Sequence, residues 1–215
     1  ENIIATGKEA IDSRKVAFLL ATPQQDGGQW DMIVSLFQKY GVVPKSVMPE
    51  SANSSNSRDL NNYLNKLLRK DAVVLRKMVA QGETLDAIEE KKEEMLESIY
   101  NFLSISLGTP PKEFDFEYRD EEKNYHLDRG LTPQIFYDKY IGVKLDDYVS
   151  VINAPTKDKP FNRSYTVEML GNVVGGKEVK YLNVDMETFK KLAIAQLEEG
   201  LSLIHLSEPP RHSLI

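Results

Sequence analysis

The sequence contains no cysteine among its 215 residues. That excludes disulfides and Cys-bound zinc, fits a reducing compartment, and leaves the chain without a thiol nucleophile of its own. Histidine is scarce as well. His126, His205 and His212 are the only three, and none sits at the spacing of a zinc ligand set or in an HExxH motif, so no metal or other cofactor is expected. No apolar run is long enough for a bilayer span, and the opening "ENIIATGKEAIDSRK" lacks the basic-then-apolar layout of a signal peptide. Membrane insertion and secretion are therefore not expected, and Asn53-Ser54-Ser55 and Asn162-Arg163-Ser164 are chance matches to a glycosylation acceptor. There is no Lys/Arg run, and a net charge of -6 with a pI near 5.2 argues against generic binding to a nucleic-acid backbone. Tryptophan occurs once, at Trp30.

What is present suffices for a soluble globular protein: 41% of the residues are hydrophobic, enough for a core in one large domain or two small ones. The run "VAFLLAT" at 16–22 is too brief to assign by period. Two glycines, Gly27 and Gly28, then precede a helix-like pattern in which Trp30, Ile33, Val34 and Phe37 form a buried stripe ending at Gly41. Residues 42–51, with two prolines, read as an extended crossing, and "SANSSNS" at 51–57 reads as a loop and a boundary. Leu60, Leu64, Leu67, Val74, Leu75 and Met78 keep helical spacing over 58–80, with Gly82 as the stop. Thr84 caps a second helix over 85–107, closed by Gly108 and Pro110-Pro111. Each helix would be about 35 Å long, and the short link makes them an antiparallel hairpin. "EEKKEEMLE" at 89–97 is an ordinary solvated face. Beyond it, Phe114, Phe116 and Tyr118 alternate as in a strand. Thr132-Pro133 starts a short helix carrying Ile135, Phe136 and Tyr140. "DYVSVINA" at 147–154 reads as a strand, "SYTVEML" and "KEVKYLNV" as a strand pair around Gly175-Gly176, and Asp185 as the cap of a helix over 186–199.

Two motifs invite chemistry. "GNVVGGKE" at 171–178 follows the phosphate-loop pattern up to its last position, where Glu178 replaces the hydroxyl that would bind magnesium. Its carboxylate would repel phosphate, and a strand-like segment follows where a helix is required, so the segment reads as a strand connection. Acid pairs such as Asp146-Asp147 and Glu198-Glu199 are common on surfaces and do not by themselves set up acid/base catalysis. The residues alone thus give an α+β chain with a long helical hairpin and no internal catalytic set. For Gly27-Gly28 they leave two readings open, a turn or a strip that another chain approaches closely.

Longer stretches carry a resemblance. "DGGQWDMIVSLFQKYGVVPKSVMPES" (26–51), "FDFEYRDEEKNY" (114–125), "LTPQIFYDKYI" (131–141) and "NRSYTVEMLGNVVGGKEVKYLNV" (162–184) resemble, in the same order, segments of the bleomycin hydrolase and aminopeptidase C family. The likeness runs over about residues 1 to 200. That family consists of papain-like cysteine peptidases with a large helical insertion, whose Cys, His, Asn and Gln form and stabilise a thioester acyl-enzyme. The resemblance implies an α+β, helix-rich, partial papain-like fold. Its parts would be a cleft-bearing lobe over 1–50, the helical insertion over 51–112, a mixed segment returning to the core over 113–200, and a non-native tail over 201–215. The tail "LSLIHLSEPPRHSLI" departs from the family and is similar to a translated sequencing adapter, so His205 and His212 are not read as catalytic.

The resemblance further implies an internal piece of a cytoplasmic aminopeptidase that removes N-terminal residues from peptides. The Gln and Cys of the family lie before the segment seen here and the His and Asn after it, so the piece itself is expected to be inactive. Asp26, Gly27, Gly28, Gln29 and Trp30 would form the wall that receives an extended peptide, with the glycine backbone pairing as an added strand. Intact family members form hexameric rings, so a homo-oligomer is implied, with the hairpin as scaffold and contact surface. Two rival readings are a non-enzymatic helical interaction module and a nucleotide-binding protein using Gly171 to Lys177.

Overall fold

A computed structural model describes residues 1–24 and 27–201 of the chain. The chain forms two compact units whose sequences interleave. The first unit comprises Glu1–Gly27 and Val42–Phe136; the second takes Gly28–Gly41 and resumes at Tyr137.

In the first unit, helix α1 (Asn2–Ala5) and helix α2 (Arg14–Ala21) precede the glycine pair. The unassigned apolar run at 16–22 is therefore mostly helix, started by the Ser13 hydroxyl, which accepts the Val16 N–H at 3.3 Å. The unit is dominated by the hairpin of α5 (Arg58–Gln81) and α6 (Leu85–Leu107). Its turn follows the residues expected of it: Gly82 adopts a left-handed conformation at φ 75°, and the Thr84 hydroxyl accepts the Ala87 N–H. Leu75, Ile88 and Met95 form its buried centre, with Ile3, Ile4 and Val79 packed against them. Residues 51–57 are not all loop. Helix α4 (Ala52–Ser55) occupies their middle, because the Ser51 and Ser54 hydroxyls each accept the other's backbone N–H, a reciprocal cap that a serine-rich stretch hides. Strand β1 (Phe114–Arg119) pairs antiparallel with β2 (Tyr125–Leu131), which its mixed, charged sequence did not announce. Phe114 and Phe116 pack on Phe136 of helix α7 (Pro133–Phe136).

In the second unit, helix α3 (Trp30–Tyr40) packs on residues distant in sequence, Tyr137 and Tyr148 among them. Strands β3 (Val151–Ile152), β4 (Arg163–Thr166) and β5 (Lys180–Asn183) form one sheet in the order β3-β5-β4. There β3 runs parallel and β4 antiparallel to β5. The expected strand over 147–154 is thus reduced to two residues, and a 3-10 turn, Leu145–Asp147, takes its first residue. Asn183 is fully buried and replaces a missing strand partner: its side chain accepts the Ala154 N–H at 2.8 Å and donates to the Lys159 carbonyl at 2.7 Å. The Asp185 carboxylate accepts the Thr188 N–H at 2.9 Å and so caps α8 (Met186–Glu198). That hydrogen bond also holds the Asp185 carboxyl below its ordinary pKa.

Candidate functional site

Of the five residues expected to form the peptide wall, Asp26 lies outside the described residues and Gly27, Gly28, Gln29 and Trp30 are described. Gly27 has φ +90°, a region that side-chain-bearing residues rarely enter, and a Cβ there would meet nothing within 4 Å. Space is therefore not what requires glycine at this position; backbone conformation is. Gly28 differs, because a Cβ on it would come within 3.1 Å of Met32 Sδ. Both glycines are exposed, and among the described residues no hydrogen bond engages the backbone of either. The next residue ends this open stretch. Gln29 is extended at φ -94°, ψ 160°, and its N–H points at Met32 Sδ at 3.4 Å, which sets the start of α3.

Trp30 opens α3 half-buried, its ring centroid 5.6 Å from that of Tyr148. Its indole Nε1 is buried with no hydrogen-bond partner among the described residues. The buried face of the helix is only partly the apolar stripe expected from spacing: Val34 is buried and Trp30 and Phe37 half-buried. Ile33 is 42% exposed, whereas Asp31 and Ser35 are buried beside Val34. The reason is polar docking onto residues 176–180. Ser35 Oγ donates to the Asp31 carbonyl at 2.8 Å and accepts the Lys177 N–H at 2.9 Å, while the Asp31 carboxylate accepts the Lys180 N–H at 2.9 Å. Gly176 permits this approach, since a Cβ on it would sit 2.9 Å from Ser35 Oγ.

The same contacts bear on the phosphate-loop reading. Lys177 Nζ lies 3.6 Å from Asp31 and 3.1 Å from Asp146, and Asp146 also accepts Gln38 Nε2 at 2.7 Å. An ammonium held between two carboxylates is neutralised locally, and the chain beyond it enters strand β5, not a helix N-terminus. Sequence reasoning missed Asp31, Ser35 and Lys177 as a set. The one signal available was the Asp31/Ser35 spacing of four on a helix whose apolar stripe was otherwise complete. His126 belongs to a different place. It stacks on Tyr118 and lies 2.8 Å from Asp120, whose carboxyl it holds below its ordinary pKa. Among the described residues no group of three or more acidic or His side chains could hold a metal, and no helix is long and apolar enough to cross a membrane.

Comparison with known proteins identifies the scaffold. The sequence model of the Peptidase C1-like family matches residues 1–213. The chain belongs to the Peptidase C1-like family. Among curated relatives it is 63% identical over 203 residues to aminopeptidase C of Streptococcus thermophilus, covering 94% of this chain and 46% of that protein. Aminopeptidase C of Lactococcus lactis subsp. lactis is 58% identical over 194 residues, and aminopeptidase G of Lactobacillus delbrueckii subsp. lactis 44% over 200. The crystal structure of pepw from Lactobacillus rhamnosis HN001 superposes with a TM-score of 0.91 at 62% identity, covering 93% of this chain and 45% of that one. The chain thus spans less than half the length of the relatives it matches, and its α+β, helix-rich fold is that part of the papain-like peptidase fold. The sequence resemblance to aminopeptidase C holds. The segment over 202–215, expected to be a non-native tail, lies outside the described residues.

Proposed function

We propose that this chain supplies the peptide-binding wall of a cysteine-type aminopeptidase, with Asp26, Gly27, Gly28, Gln29 and Trp30 receiving an extended peptide. The observation that carries the reading is the exposed backbone of Gly27 and Gly28, whose donors and acceptors are left without partners among the described residues. Exposed, unpaired backbone of that kind can be completed by a peptide added as a short strand, and side-chain-free residues keep the approach open. Tryptophan beside it would close the wall with a broad apolar surface. The relatives' names supply the reaction class. With no cysteine in its sequence, the chain as given is inactive in hydrolysis: it binds and orients, and the attacking thiolate must come from elsewhere.

The same reading takes 1–50 as part of a papain-like lobe, 51–112 as the insertion and 113–200 as the returning segment. It also includes a cytoplasmic location and a homo-hexameric ring, both of which follow from the resemblance. Self-association is supported by apolar side chains left exposed along the hairpin, among them Val73, Leu85 and Ile105.

The experiment is a peptide titration that follows Trp30, the one tryptophan. A tetrapeptide amide with a free N-terminus is expected to give a saturable change in emission. Gly27→Val, which must strain a backbone at positive φ, should weaken it about tenfold. A flat titration of the folded chain at millimolar peptide contradicts the reading.

A further inference from the structure

Helix α5 carries three polar side chains that grip the backbone of the preceding N-terminal segment. Arg76 donates to the Thr6 carbonyl at 2.8 Å and to the Glu9 carbonyl at 2.6 Å. Arg69 donates to the Leu20 carbonyl at 2.7 Å and to the Ala21 carbonyl. Asn65 holds Gln24 twice: its Oδ1 accepts the Gln24 N–H at 2.8 Å and its Nδ2 donates to the Gln24 carbonyl at 2.8 Å. Positions 65, 69 and 76 fall within a narrow sector of the helix, so the grip lies on one face. All of these residues belong to the first unit, as does Gly27.

The Asn65 contact differs in kind from the other two. The arginines use donors only and fix carbonyls. Asn65 offers a donor and an acceptor in one amide plane, and both bonds go to a single residue, as in a ladder pair between strands. Such a pair fixes the direction of the chain as well as its place. Both residues are half-buried, where water competes less for the bonds. Gln24 stands three residues before Gly27. The residue that Asn65 fixes is thus close in sequence to the glycine pair.

We propose that Asn65 is a positioning residue for peptide binding: by fixing both backbone groups of Gln24 it sets the conformation in which Gly27 is presented. The proposal rests on the peptide-strip reading above. It gives the helical insertion a role beyond packing, since a side chain on α5 then governs affinity through the backbone of Gln24.

Three variants of the 215-residue chain test it: Asn65→Leu, Asn65→Asp and Arg76→Leu. Each is followed by Trp30 emission under peptide titration, by amide exchange over 22–28 and by thermal midpoint. Asn65→Leu is expected to weaken peptide binding about tenfold and to speed exchange over 24–28, since two hydrogen bonds are lost. Asn65→Asp keeps the acceptor for the Gln24 N–H and should fall between it and the parent. Arg76→Leu also removes two bonds to backbone, yet should lower the midpoint and leave peptide affinity unchanged. Affinity falling in proportion to the midpoint in all three would make Asn65 merely structural and overturn the proposal, as would unchanged exchange and affinity in Asn65→Leu. If the parent binds no peptide, the strip reading fails and the positioning role falls with it, whereas binding by the parent with unchanged affinity in Asn65→Leu overturns the positioning role alone. Should Asn65→Leu fail to fold, the Asn65→Asp comparison decides.

Discussion

Glycine serves different ends at different places in this chain. At Gly27 it meets a backbone requirement in open space, while at Gly176 it meets a steric one against Ser35. The second can be tested without any ligand. Gly176→Ala places a methyl 2.9 Å from Ser35 Oγ and 3.0 Å from Ser35 Cβ, so the Ser35 bond to the Lys177 N–H must lengthen or break. Overpacking of that kind costs about 1–3 kcal/mol. Thermal denaturation is expected to register the loss, and Gly176→Ala combined with Ser35→Ala should recover part of it, because the obstructing hydroxyl is gone. A double variant that recovers nothing would contradict the steric reading.

Among the elements, the hairpin was the most legible from sequence, and the reasons are local. Helices α5 and α6 announce themselves by apolar spacing, by Gly82 at a left-handed cap and by the Thr84 hydroxyl. The hairpin also holds a polar residue that its spacing did not flag. Asp71 on α5 is buried at 7% exposure, and burial pushes its carboxyl pKa up against the opposing pull of Lys70 and Lys91. A folded-state pKa raised above the unfolded value means that Asp71 favours folding when protonated. That contribution is present at low pH and is lost as pH rises through the folded-state value. Asp71→Asn is therefore expected to raise the thermal midpoint at pH 7 and to leave little change at pH 3, with the difference between variant and parent growing over that interval. Where local signals compete, legibility falls. Residues 51–57 look like a loop because serines favour turns, yet Ser51 and Ser54 cap each other into α4. Strand β2 carries His126, Asp128 and Arg129 and shows no alternation to read. The glycine pair and the tryptophan-led helix after it were legible in the sequence. That no backbone partner meets Gly27 or Gly28 among the described residues was not, because pairing depends on residues distant in sequence, and the same holds for Asp31 and Ser35, whose partners lie at 177 and 180.

At the scale of the molecule, two units built from interleaved segments carry the fold of under half of a Peptidase C1-like enzyme. If the chain supplies a peptide-binding wall, it should work when placed where its relatives carry the matching segment. The most direct measurement exchanges residues 1–200 for that segment in aminopeptidase C of Streptococcus thermophilus, to which the chain is 63% identical, and assays cleavage of an aminoacyl reporter. The exchanged protein is expected to show thiol-dependent aminopeptidase activity, blocked by a thiol reagent. Gly27→Val within it should lower kcat/KM about tenfold. A folded exchange protein that cleaves no reporter, or one whose kcat/KM ignores Gly27→Val, would contradict the claim that this strip receives the peptide.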